Sequence, residues 1–243
     1  KQVKDLCANF SALIRSMRNR FPEMQFSCTI GFGADAWKQL FPEQGNPKEL
    51  KTFETIKGAK YTAVSTPGDI LLHIRAKQMG LCFEFASIID EKLKGVVDSI
   101  DETHGFRYMD GKAIIGFVDG TENPAVDENP YHFAVIGDED PDFIGGSYVF
   151  VQKYIHGMTA WNSLPVEAQE KVIGRHKYND VELSDEEKPQ NAHNAVTNIG
   201  DDLKIVRANM PFANTSKGEY GTYFIGYAST FSTCLLYTSD AAD

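Results

Sequence analysis

The sequence predicts an α+β protein made of two halves of similar layout, each an antiparallel sheet with helices on one face. Three observations predict it. Apolar residues recur at three- and four-residue steps in some segments and alternate in others, the two periods of amphipathic helices and half-buried strands. The segments run helix, strand, helical turn, strand, helix, strand, an order that suits one sheet under one helical layer, and a similar order returns after Pro124. The length, 243 residues, is long for one domain and comfortable for two small ones. The expected division is residues 1–110 and 111–233, with 234–243 set apart.

Val3, Leu6, Phe10, Leu13, Ile14 and Met17 share one face of a helix of about five turns. Arg15, Arg18 and Arg20 crowd its end, where cations suit the helix dipole. Phe26, Cys28, Ile30 and Phe32 alternate in a strand over Met24–Phe32, and Ala34–Phe41 follows as a short helix. Phe41–Lys60 carries two prolines and mixed charge and reads as an excursion. Asp69–Arg75 is expected as a strand, Leu81–Val97 as a long helix and Ile100–Tyr108 as a strand. A strand before Lys1 would complete this first sheet.

In the second half, His132–Ile136 is expected as a short strand and Gly145-Gly146 as a turn. Ser147–Ile155, rich in β-branched and aromatic residues, is a strand. Val166–Ile173 is a helix begun by Pro165. Tyr178–Pro189 is an acidic, solvated loop. Leu203–Arg207 and Tyr223–Tyr227 are strands, the first stopped by Pro211. No residue-level repeat links the halves.

A formal net charge of −10 argues against nucleic acid or an anionic membrane as partner. No apolar run approaches the length of a bilayer span. Cys7, Cys28, Cys82 and Cys234 are scattered without a C-x-x-C pair, which suits neither a metal site nor a disulfide framework. A reducing, cytoplasmic compartment fits. The chain opens on Lys1 inside a helical pattern, which leaves a preceding signal peptide open. Cys234–Asp243 breaks with what precedes it and resembles the translation of a sequencing-library adapter, so the natural sequence is expected to stop near Thr233.

Three stretches carry chemistry. Gly116-Phe117-Val118-Asp119-Gly120-Thr121-Glu122-Asn123-Pro124 bends the chain around one acid. Its glycines allow backbone angles that a Cβ forbids, and a carboxylate beside Phe117 and Val118 needs a hydrogen bond, a cation or a role. A lone loop of this kind also reads as an Asp capping its own turn. His193 lies among small and amide residues, Pro189-Gln-Asn-Ala-His-Asn-Ala-Val196, which leave room for something bulky. It has no second ligand at zinc spacing, whereas an axial imidazole on haem iron needs none. Arg207 ends an apolar strand and needs a carboxylate or an anionic ligand there. His73, His104, His132 and His156, in or beside strands, read as structural, and His176 as exposed.

Taken together these stretches resemble the dye-decolourising peroxidases. The resemblance extends through His104-Gly-Phe-Arg107, Gly145-Gly-Ser-Tyr-Val-Phe-Val-Gln152 and Val172-Ile-Gly-Arg175 to about Ala228. It is nearest to the bacterial cytoplasmic branch. It implies a pair of ferredoxin-like domains with one haem b held in the second. His193 would be the axial ligand and metal-binding residue, and Asp119 and Arg207 the distal acid and arginine. Asn209 would lie over the haem face, and Gly120, Thr121, Glu122 and Asn123 would line the cofactor.

The reaction implied is reduction of hydrogen peroxide with one-electron oxidation of organic reductants through a ferryl intermediate. The resemblance places the acceptor for the second nitrogen of His193 on an acid further along, beyond where this fragment stops. Electrons could leave through Trp161, Tyr148, Tyr154, Tyr220 or Tyr223, which otherwise read as core or rim residues. Arg175 and Lys153 could pair with haem propionates. The implied partners are peroxide, an organic reductant, further copies in a homo-oligomer and an encapsulating shell protein. A second reading keeps haem but makes the protein a porphyrin carrier or iron remover. A third makes it a structural module that takes up no haem.

Overall fold

A computed structural model of the chain describes residues 1–58, 61–121, 123–197, 200 and 203–239. The order of elements is α1 (Gln2–Arg20), β1 (Ser27–Phe32), α2 (Ala34–Leu40), β2 (Ile56–Lys57), β3 (Thr62–Ala63), β4 (Ile70–Arg75), α3 (Met79–Leu93), α4 (Pro130–Ala134), β5 (Tyr148–Ile155), α5 (Met158–Ser163), α6 (Val166–Ile173), α7 (His193–Val196), β6 (Val206–Arg207), β7 (Met210–Asn214), β8 (Glu219–Ala228) and α8 (Phe231–Ser239). The chain divides into two compact units, Lys1–Asn46 with Leu50–Phe53 and Ser65–Glu102, and Pro47–Glu49 with Glu54–Val64 and Thr103–Asp243. No described helix is long and apolar enough to cross a membrane.

In the first unit β1 and β4 pair antiparallel, Ser27 opposite Arg75 and Phe32 opposite Ile70. The apolar stripes of α1 and α3 form one core with Phe26 from the approach to β1, around Phe85, which is fully buried. Phe85 meets Phe26 with ring centroids 4.9 Å apart and Phe10 edge-on at 6.1 Å. Cys28, Ile30, Leu72 and Ile74 pack against that core from the sheet, so the alternation in both strands sets which face is covered.

The second unit is built on β8. Its ten residues pair along one side with β5, Tyr148 opposite Ala228 through Ile155 opposite Gly221. Along its other side lie β6 and β7, end to end. Val206 faces Tyr227 and Met210 faces Tyr223, four residues apart on both strands, so one register runs through both pieces. The ladder breaks between them because the Ile225 N–H donates to the Asn209 side chain at 3.2 Å instead of to backbone.

Three expectations fail here. Ile100–Tyr108 forms no strand. The Phe106 N–H donates to the Pro211 carbonyl at 3.0 Å, but proline has no N–H to return a bond, so no ladder propagates. Pro211 itself does not stop its strand. It sits within β7 opposite Thr222, on an edge where its missing donor faces away from β8. His132–Ile136 is not a strand, because Asn129 in the left-handed region (φ 53°) and Pro130 at the first helical position start α4 instead. The predicted strand Leu203–Arg207 shortens to Val206–Arg207.

Candidate active site

The loop around Asp119 is built on two glycines in the left-handed region. Gly116 has φ 93° and Gly120 φ 83°, values an L side chain rarely adopts. A Cβ on Gly116 would also lie 2.8 Å from Cε of Lys177. The Asp119 N–H donates to the Gly111 carbonyl at 3.2 Å, and the Asn123 N–H closes a turn on the Gly120 carbonyl at 3.1 Å. Beneath the loop, Phe117 is buried and meets the Trp161 ring edge-on at 6.0 Å. Trp161 Nε1 donates to the Ile115 carbonyl at 2.9 Å. Lys177 lies 5.7 Å from the Phe117 ring centroid and donates to Gln169 Oε1 at 2.6 Å.

Asp119 is half-buried, and its Oδ1 accepts from Asn209 Nδ2 at 3.3 Å. Asn209 thus spends its oxygen on β8 and its amide nitrogen on the acid. The break in the ladder is what turns this side chain toward the loop. Arg207, two residues earlier, is held through its backbone by Asn123: Oδ1 accepts from the Arg207 N–H at 2.8 Å, and Nδ2 donates to its carbonyl at 3.0 Å.

His193 opens α7, whose first turn follows the fully buried Ala192. Solvent reaches the imidazole, yet the protein around it is the largest influence on its protonation. Burial pushes its pKa below the ordinary 6.5, the Arg207 charge pushes the same way and the Asp119 charge opposes them. The same influences set His193, Asp119 and Arg207 within electrostatic reach of one another. These residues and Asn209 come from the second unit.

Of the remaining predicted residues, Thr121 lies exposed in the loop and Glu122 is outside the described residues. Arg175, read as a partner for a haem propionate, is engaged by two acids of its own chain. Its Nε donates to Asp180 Oδ1 at 3.0 Å and its Nη1 lies 3.7 Å from Glu182, because a short bridge between Arg175 and Glu182 brings the acidic loop back onto it. Lys153 lies 5.2 Å from the ring centroid of Phe212. Tyr148 is buried and its hydroxyl accepts from the Glu49 N–H at 2.9 Å, so it is a core residue and not a surface one. His132 lies in α4 and not in a strand, and His176 is paired with Glu170 at 3.2 Å. His156 is hydrogen-bonded to Thr222 at 2.9 Å.

Sequence reasoning missed Gly111, Trp161 as a loop support, and the pairing of Lys204 with Glu128 at 2.6 Å. Lys204 and Glu128 are 76 residues apart, and opposite charge at that distance carries no signal.

The described geometry has clear relatives. The family profile for the Dyp-type peroxidase N-terminal domain matches residues 2–107 and that for the C-terminal domain residues 110–238. A dye-decolorizing peroxidase of Rhodococcus erythropolis is 50% identical over 232 residues, which are 94% of this chain and 67% of that protein. The crystal structure of a dye-decolorizing peroxidase from Bacteroides thetaiotaomicron superposes with a TM-score of 0.96 at 85% identity, covering 98% of this chain and 77% of that one. A DypB variant of Rhodococcus jostii in complex with heme superposes at 0.92 with 43% identity, over 97% and 77% of the two chains. The encapsulated DyP-type peroxidase from Mycobacterium smegmatis gives 0.94 at 46% identity, over 100% and 80%.

Proposed function

This chain belongs to the Dyp-type peroxidase family, and on that premise we propose that it reduces hydrogen peroxide at a haem held by His193, with Asp119 and Arg207 handling the peroxide. The observation that supports the reading is that two asparagines tie the Asp119 loop to the Arg207 strand, Asn209 to the carboxylate and Asn123 to the Arg207 backbone, while the charges of both Asp119 and Arg207 act on the His193 imidazole.

The residues present fit a haem. The imidazole is favoured in its neutral form, which is the form that donates to iron. Ala192 and Ala195 beside it add no bulk, and Asn194 is turned away onto Gly174. Bound haem would supply the redox centre that passes two electrons to peroxide and recovers them singly from an organic reductant. His193 would hold that group from one side.

The chain's own residues then do the proton work. Asp119 takes the proton from one peroxide oxygen and returns it to the leaving oxygen, a transfer worth about 10²–10⁴-fold when the base is positioned. Asn209 fixes which way the carboxylate faces by donating to Oδ1. Arg207 stabilises the peroxide anion and the charge that develops as the O–O bond breaks. An organic reductant and an encapsulating shell, as for the Mycobacterium smegmatis relative, are the partners this reading implies.

The test is an absorption titration of the protein with haem, for wild type and His193→Ala, before and after peroxide. The expected result is a ligated ferric spectrum that peroxide converts in the wild type, with ligation lost in the variant. Equal ligation without His193 would refute the assignment of that residue. Haem ligated but inert to peroxide would refute the peroxidase reading.

A further inference from the structure

We propose that Asn123 is a positioning residue for Arg207, locking it and Asp119 into one unit; this rests on the peroxidase reading above. The argument starts at an edge. Arg207 and Gly226 face each other across β6 and β8, and the next residue, Ala208, is the one whose N–H donates to β8, to the Ile225 carbonyl at 2.9 Å. The polar backbone of Arg207 therefore points the other way, to an edge with no strand beside it among the described residues. An open edge leaves a donor and an acceptor that need partners. One carboxamide satisfies both, with Asn123 accepting at 2.8 Å and donating at 3.0 Å.

The loop presets that carboxamide. The Asn123 N–H is tied to Gly120, and a Cβ on Gly120 would lie 3.4 Å from Asn123 Nδ2. The contact is the middle of three ties between the loop and the strand, in antiparallel order. Asp119 meets Asn209 at 3.3 Å, Asn123 meets Arg207, and Glu128 meets Lys204 at 2.6 Å. The outer two join side chains to side chains. Only the middle one grips backbone, so it sets how far the guanidinium stands from the carboxylate. Asparagine suits this task because it carries a donor and an acceptor side by side. Aspartate keeps the acceptor but sets a negative charge against the Arg207 carbonyl, and alanine keeps neither.

The experiment uses the haem-loaded protein with Asn123→Ala, Asn123→Asp, Arg207→Leu and the double variant Asn123→Ala/Arg207→Leu. Two quantities are read: amide hydrogen exchange at Arg207, and the second-order rate of reaction with peroxide. Exchange at Arg207 is expected to rise in Asn123→Ala and less in Asn123→Asp. The peroxide rate is expected to fall by about 100-fold in Asn123→Ala, the scale of a misplacement near 1 Å. It should fall no further when Asn123→Ala is added to Arg207→Leu. Unchanged exchange in both Asn123 variants would overturn the clamp. Faster exchange with an unchanged rate, or losses that add in the double variant, would overturn the positioning role. If Asn123→Ala does not fold, Asn123→Asp carries the same comparison. A wild type inert to peroxide would sink the peroxidase reading and the positioning role together, while exchange would still report on the clamp.

Discussion

The Asn194 carboxamide lies across the bare Cα of Gly174. Its Nδ2 donates to the Gly174 carbonyl at 3.2 Å and to Glu182 Oε1 at 3.0 Å, while its buried Oδ1 has no hydrogen-bond partner among the described residues. The amide nitrogen suits this place, since an amide oxygen there would press against a carbonyl and a carboxylate. Gly174 ends α6 with φ 88°, and a Cβ there would sit 1.8 Å from Oδ1. Asn194 is the second residue of α7, directly after His193, so the end of one helix seats the helix that carries the imidazole.

Gly174→Ala is therefore expected to destabilise the protein by roughly 2–4 kcal/mol, combining left-handed backbone strain with overpacking. Denaturant unfolding measures it. Haem capture should weaken too, because relief of the clash moves His193. Adding Asn194→Gly should recover the overpacking but not the backbone strain. No recovery would mean that the backbone angle alone makes Gly174 necessary.

Much of this arrangement was legible in the sequence, and what was not has a physical reason. The long helices declared themselves through the spacing of Val3, Leu6 and Phe10 or of Leu81, Phe85 and Ile89, since a buried stripe must repeat with the helix. Asp119 and its glycines stood out because a sharp turn needs special residues. Pro211 misled because a proline is permitted on a strand edge, and edges are properties of the sheet, not of the segment. His132 misled because Asn129 and Pro130 just before it outweigh a short apolar alternation. Asn123 and Asn209 were placed at the site by resemblance. Their partners, a backbone 84 residues away and a carboxylate 90 residues away, exist only once the sheet has formed.

Trp161 tests whether an aromatic ring under the loop acts as a support or as an electron route. Its Nε1 bond to the Ile115 carbonyl and its edge contact with Phe117 make it part of the loop's floor. Trp161→Phe should lower stability by about 1–2 kcal/mol, the cost of leaving a carbonyl without its donor. It should slow oxidation of small and bulky reductants equally, through the common peroxide step. Steady-state rates with one reductant of each size decide it. A loss confined to bulky reductants would assign Trp161 to electron transfer.

His73 in β4 gives the first unit an acid limb of stability. Burial, reinforced by the Arg75 charge, pushes its pKa from 6.5 down to about 4. Above pH 6.5 the imidazole is neutral in both the folded and unfolded chains and contributes no pH dependence. Between pH 6.5 and about 4 the unfolded chain gains a proton that the folded one refuses, so stability falls as pH falls. The loss by pH 4 is roughly 3 kcal/mol at about 1.4 kcal/mol per pKa unit. Glu128, Glu139 and Glu170, all held below their ordinary 4.5, act with the same sign at lower pH. Unfolding free energies from pH 7.5 to 4 should show the slope in the wild type and a flattened one in His73→Gln, which keeps a polar side chain without the titration.

Asp119 and Asn209 allow charge to be separated from position. Asp119→Asn keeps an oxygen that can still accept from Asn209 Nδ2, so the loop should hold its shape and haem uptake should be unchanged. On the proposed reading only the base is lost, and the peroxide step should slow by about 100-fold or more. Asn209→Ala does the reverse. The carboxylate stays, but it loses its donor, and the Ile225 N–H loses its acceptor. That variant should cost about 1–2 kcal/mol of stability and slow the peroxide step less than Asp119→Asn. Stopped-flow rates and unfolding midpoints for both variants decide the matter. If Asp119→Asn reacts with peroxide at the wild-type rate, the carboxylate is not the base and the proton passes through solvent, with Arg207 left to stabilise the charge.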